Sequence, residues 1–134
     1  IEFQTPHYER YILSFGQEVL TQDHWDTDSA LAGARTEIST PTPTVQISPG
    51  LDLIADFDAF KVTRLMLEPG NSTNTQHTNY TMIIGVAGEM ALDDLTTVGP
   101  EQAFFQAPKE ALRFTNRGTA PATVLIAEEN TPPR

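Results

Sequence analysis

Residues 60–92 read FKVTRLMLEPGNSTNTQHTNYTMIIGVAGEMAL. The first apolar run, 60–67, is rich in Phe, Val, Leu and Met, and Pro69-Gly70 closes it, as a turn closes a strand. The second run, 80–86, is again β-branched and apolar and ends at Gly88-Glu89. Between them lies a polar connector, 71–79, holding a single histidine, His77. The pattern predicts half of a small β-barrel, with His77 pointing into its mouth.

The same punctuation continues outward. Strand-like segments at 45–48, 51–55, 89–92, 95–98, 103–107, 112–115 and 123–128 alternate with turn signals. These are Pro49-Gly50, Asp93-Asp94, Gly99-Pro100 and Asn116-Arg117-Gly118. Pro108-Lys109-Glu110 reads as a loop. Short strands separated by turns every eight to twelve residues or so indicate an antiparallel sandwich or barrel. One domain over 39–134 accommodates them all. Upstream, Pro41 and Pro43 rule out a helix and make an extended connector. Residues 1–38 form a leader, in which Tyr8, Tyr11, Ile12, Phe15, Val19 and Leu20 recur at spacings of three and four. That predicts a weak helical face over 7–21, interrupted at Gly16. Residues 30–35 fit a helical turn or a loop. The leader is expected to pack on one end of the barrel; a lid or a dimer arm is the alternative.

Composition narrows the function classes. With 18 acids against 8 bases the formal charge is −10, which argues against nucleic acid or an anionic membrane surface as a partner. No apolar run approaches the length that crosses a bilayer. The absence of cysteine removes disulfides, thiolate metal sites and cysteine nucleophiles. No Gly-rich phosphate loop and no Gly-x-Ser-x-Gly elbow occurs. His7 and His24 lie in the leader near Asp23, Asp26 and Asp28, at spacings that fit neither an EF-hand loop nor a His-Glu-x-x-His helix.

Val62-Thr63-Arg64-Leu65 through Leu67-Glu68-Pro69-Gly70 resembles the strand and turn that open the first motif of the cupin superfamily. That motif runs Gly, His-x-His, Glu, Gly. Here Gly70 supplies the first glycine and Gly88 the last, and Val86-Ala87-Gly88-Glu89 resembles the motif's end. Residues 101–108, with Leu112 and Asn116, resemble the second motif in hydrophobic pattern, and 116–126 the hairpin into the final strand. The resemblance covers about the last 75 to 90 residues. It implies an all-β fold, an antiparallel double-stranded β-helix or RmlC-like jelly-roll barrel. It also implies a homodimer, since cupins commonly pair.

Cupin enzymes usually hold a divalent metal with two His and a Glu from the first motif and a His from the second. Counted back from Gly88, His77 falls at the second His, Thr75 at the first and Thr81 at the Glu; Leu112 falls at the His of the second motif. Leucine cannot bind a metal and threonine is a poor ligand. A slip in alignment brings in Gln76 or Asn79, and neither restores the set. The expectation is a degenerate motif with no metal and no cofactor.

His77 remains as a group able to exchange protons near neutral pH, the candidate catalytic residue. Arg64 shares a strand face with Val62 and Met66, where it needs an anionic partner: a carboxylate of the protein, or one on a ligand. Thr75, Gln76, Asn79, Thr81 and Gln106 add neutral donors and acceptors around the same mouth. Together they suit a small polar or anionic molecule, sugar-like or a carboxylate. Two alternatives stay open. One is a cupin enzyme (isomerase, lyase or oxygenase) using His77 as acid/base or as ligand of an unconventional metal site. The other is a structural dimerisation module.

Overall fold

A computed structural model of the protein describes residues 43–130, together with Phe3, residues 31–34 and Glu37. The chain divides into two compact units, Ile1–Pro41 and Thr42–Arg134. In the first, residues 31–33 are helical, with the Ala34 amide donating to the Leu31 carbonyl. The helical face expected over 7–21, and the acidic segment around Trp25, lie outside the described residues.

The described residues of the second unit form ten antiparallel strands. They are β1 (Val45–Ser48), β2 (Leu51–Asp56), β3 (Phe60–Leu67), β4 (Ser72–His77), β5 (Thr81–Ala87), β6 (Met90–Leu92), β7 (Thr96–Val98), β8 (Ala103–Gln106), β9 (Lys109–Thr115) and β10 (Ala122–Glu129). A six-stranded sheet has the order β1-β2-β3-β10-β5-β8 and a four-stranded sheet the order β4-β9-β6-β7. This is the double-stranded β-helix expected from the sequence. Among the described residues no helix is long and apolar enough to cross a membrane.

Alternation of side chains along each strand builds the core. Leu65 and Leu67 of β3, Val124 and Ile126 of β10, and Ile83 of β5 face inward from the larger sheet. Met90, Leu92, Leu112 and Phe114 meet them from the smaller one. Fully burying one such side chain contributes about 1.5–3 kcal/mol, so this apolar layer, rather than any polar contact, carries the stability of the barrel.

The frame glycines hold the turns that join the strands. Gly88 has φ +63, and a Cβ there would come within 2.9 Å of the Ala122 Cα and the Pro121 carbonyl oxygen. Gly70 has φ +78. Both lie in the left-handed region that favours glycine. Beside Gly70, Asn116 is fully buried; its amide donates to the Leu67 and Ala120 carbonyls and its oxygen accepts from the Gly118 amide. That side chain locks the end of β3 to the turn that leads into β10.

Two elements differ from the sequence expectation. Residues 72–77, read as part of a polar connector, form β4 and pair with β9, Thr73 opposite Phe114 and Thr75 opposite Leu112. The polar composition hid the strand, but β-branched threonines at alternate positions suit a pleated edge. Lys109-Glu110, read as a loop, forms the start of β9, with Lys109 opposite His77. This extra pairing carries His77 into the barrel wall rather than leaving it on a connector.

Candidate functional site

The register across the six-stranded sheet places one polar row over the apolar core. Lys61 of β3 lies opposite Glu128 of β10, Glu128 opposite Thr81 of β5, and Thr81 opposite Gln106 of β8. Residues directly opposite one another share a face. The row therefore lies on the inner side, in phase with Leu65, Ile126 and Ile83. His77 and Thr75 of β4 meet it from the smaller sheet.

Contacts within this cluster are specific. The Thr75 hydroxyl lies 2.6 Å from His77 Nε2. His77 Nδ1 lies 3.5 Å from Glu128 Oε2. That is longer than an ordinary hydrogen bond and is best described as an electrostatic pairing. Lys61 Nζ sits 3.1 Å from the same carboxylate oxygen. The other oxygen, Oε1, accepts from the backbone amides of Thr78 at 3.1 Å and Asn79 at 3.4 Å. His77 and Glu128 are each only 5% exposed, so both have left water and depend on these partners.

Two opposing effects act on His77. Burial disfavours the imidazolium and is the larger, pulling its pKa below the ordinary 6.5; the Glu128 carboxylate pulls it back up, and Lys61 adds to the lowering. The ring is therefore neutral at neutral pH. A carboxylate beside Nδ1 favours the ring proton on that nitrogen, which leaves Nε2 as the acceptor for the Thr75 hydroxyl.

The sequence-predicted residues divide cleanly. Thr75, His77 and Thr81 are brought together on the inner side, and Gln106 lies at the end of the same row, its amide donating to the Ala107 carbonyl at 3.0 Å. Asn79 is buried but serves the connection: its side chain donates to the Glu129 carbonyl and its own carbonyl accepts from Thr81. Gln76 is exposed and alternates with Thr75 and His77, so it lies on the outer side of β4. Arg64 differs most from expectation. The inner face of β3 carries Leu65 and Leu67, which puts Arg64 on the outer face with Met66. There it bonds Asp52 at 2.7 Å, so its anionic partner is a carboxylate of the protein, one of the two partners expected.

Two residues of the cluster were not anticipated from the sequence, Lys61 and Glu128. Parity places both once the inner face of each strand is known. Glu128 continues the inward series Val124, Ile126, and Lys61 continues Leu65, Thr63 backwards.

The donor set bears on a metal. Leu112 is buried opposite Thr75 and offers no donor. Among the described residues His77 and Glu128 are the strong donors that meet here; Glu128 is already engaged by Lys61 and two amides, and Asp56, opposite Lys61, is exposed and accepts from the Asn130 side-chain amide. No group of three His, Cys, Asp or Glu among the described residues is placed to hold a metal ion. These residues do not fit a centre of several histidines and a carboxylate.

No protein-family model matches the sequence, and no curated protein matches it. Solved structures do match in shape. A polyketide cyclase from Streptomyces resistomycificus superposes with a TM-score of 0.54 at 21% identity, covering 75% of this chain and 83% of that one. A cupin domain from Bordetella pertussis tohama I gives 0.53 at 12% identity, over 69% and 99%. An RmlC-like cupin family protein with a double-stranded β-helix fold, from Methanocaldococcus jannaschii, gives 0.52 at 12% identity, over 71% and 86%. With the strand order and the inward polar row already in place, these likenesses establish that this chain has the cupin fold.

Proposed function

We propose that this protein binds a small polar molecule at the Thr75–His77–Glu128 cluster, without the usual cupin metal centre. The observation that carries this reading is the pairing of the buried His77 imidazole with the half-buried Thr75 hydroxyl, 2.6 Å from Nε2. A ligand hydroxyl that displaces Thr75 from Nε2 finds a prepared acceptor. Lys61, with its side chain 41% exposed, and the Gln106 amide are donors within the same row. Leu112, opposite Thr75, and Phe114 belong to the buried apolar core, and a few polar groups set against apolar side chains are the usual make-up of a small-molecule site.

The test is ligand-observed NMR with a panel of short polyols, sugars and hydroxy acids. Binding that is lost in His77→Ala and weakened in Thr75→Val supports the site; equal binding by both variants moves it elsewhere. Elemental analysis that finds about one tightly held transition metal per chain contradicts the metal-free reading.

One observation favours a second reading, proton transfer by His77. Hydroxyl, imidazole and carboxylate stand in line, so the base has a neighbour that orients it. Turnover of a bound panel member that stops in His77→Gln distinguishes catalysis from binding alone.

A further inference from the structure

An antiparallel sheet with one solvated face alternates apolar and polar residues along its strands. The outer face of the smaller sheet follows that rule, with Ser72, Asn74 and Gln76 on β4 and Arg113 on β9. The larger sheet departs from it at its β5–β8 side. β5 reads TMIIGVA, apolar at the outward Met82, Ile84 and Val86 as well as at the inward Ile83. In register, Met82 lies opposite Phe105 of β8 and Ile84 opposite Ala103. Tyr80, just ahead of β5, stacks on Phe105 with ring centroids 5.4 Å apart and planes 14° from parallel. A strand apolar on both faces has the pattern of a strand covered on both faces.

This face is nevertheless open. Tyr80 is 45% exposed, Met82 43%, Val86 43% and Phe105 63%. Four apolar side chains left this open present about 400 Å². Interfaces are about 56–65% apolar, so an apolar centre of that size belongs to a contact of about 700 Å² per partner, close to the ~800 Å² of a standard one.

Charge selects the occupant. With a formal charge of −10 on each chain, two copies repel wherever their acids meet. Neither β5 nor β8 contains a charged residue. Charges on this face stand at its rim: Glu129, whose amide donates to the Tyr80 carbonyl, and Arg64, already paired with Asp52. An apolar patch free of charge is its own complement about a two-fold axis, because the same surface serves both partners. We propose that the outer face of β5 and β8 is where two copies of this chain meet, with the Tyr80–Phe105 stack at the centre of the contact. The His77 cluster takes no part, since its row lies on the inner side of the same sheet.

The experiment is analytical ultracentrifugation of the full chain from about 1 to about 200 μM, the range in which a contact of this size dissociates. The expected result is a species of twice the 14.8 kDa chain mass at the upper end. Each substitution on a two-fold contact enters twice, so Phe105→Lys and Met82→Lys should each weaken dimerisation at least about tenfold. Their urea midpoints at low concentration should match the native protein's, since both side chains face outward. Leu95→Lys in the β6–β7 turn and Ile47→Lys on β1 replace equally open apolar residues elsewhere and should leave the dimer intact. A readout without substitution is peroxide oxidation of Met82, followed by mass spectrometry, which should slow as the protein concentration rises through the transition. A chain that stays monomeric throughout overturns the proposal. So does a dimer that survives both Phe105→Lys and Met82→Lys, a dimer lost in Ile47→Lys, or Met82 oxidation that is independent of concentration.

Discussion

His77 Nδ1 stands 3.5 Å from Glu128 Oε2, across the gap between the two sheets, with both side chains nearly closed off from water. The contact joins β4 to β10 and therefore the polar edge strand to the central strand of the larger sheet. The rest of the site is arranged about it: Thr75 on the far nitrogen, Lys61 and two backbone amides on the carboxylate.

Stability depends on pH through this pair. Burial lowers the folded-state pKa of His77 from 6.5, so the unfolded chain takes up the proton first on acidification. The contribution of neutral His77 is complete above 6.5 and is lost as pH falls from there towards the folded value. Asp93, held by Lys109 and the Arg113 amide, has its pKa lowered from 3.8 and acts in the same direction in a more acid window. Urea midpoints should therefore begin to fall below about pH 6.5 in the native protein, while His77→Gln shows no such onset until the carboxylates titrate. Parallel curves for the two proteins contradict this.

Glu128 should matter far more to stability than Lys61. Glu128→Ala strands the Thr78 and Asn79 amides and removes the partner of His77, a loss of about 3 kcal/mol. Lys61→Ala removes a half-exposed ammonium and costs about 1 kcal/mol or less. Denaturant unfolding of both variants checks the asymmetry; equal losses contradict it.

The Asn116 side chain is predicted to hold the turn before β10 on its own. Asn116→Ala leaves the Leu67 and Ala120 carbonyls and the Gly118 amide without their buried partner and should cost about 2–3 kcal/mol. A midpoint within error of the native protein is the contrary result.

Arg64→Ala separates the outer face from the inner one. Its ion pair with Asp52 is half-exposed and contributes about 1 kcal/mol or less, and it lies on the far side of β3 from His77. Affinity for any ligand of the cluster should be unchanged in Arg64→Ala, whereas Thr75→Val weakens it. A lost affinity in Arg64→Ala places the ligand on the outer face.

Much of the fold was legible because apolar alternation and turn residues marked most of its strands. β4 escaped because its inward residues are threonines and a histidine, which read as loop chemistry until a partner strand is known. The same blindness hid Glu128. A glutamate at the end of an apolar strand reads as a solvent-facing terminus, and only the approach of His77 from the other sheet explains its burial. Arg64 was assigned to the inner face because Val62 and Met66 flank it. Leu65 and Leu67 are equally apolar, and sequence alone could not say which of the two series met the core. Thr75 and Thr81 are reached by counting back from Gly88 and Leu112 by its place in the second motif; in the sheet Thr75 lies opposite Leu112.

The central claim, that His77 offers an outward acceptor to a ligand, is tested most directly by the ring nitrogen resonances of His77, resolved from those of His7 and His24 by substitution. At neutral pH the account predicts a neutral ring protonated on Nδ1, with the Nε2 signal moving when a binding hydroxy compound is added. A ring protonated on Nε2, or His77 signals that no member of the panel displaces, would contradict it.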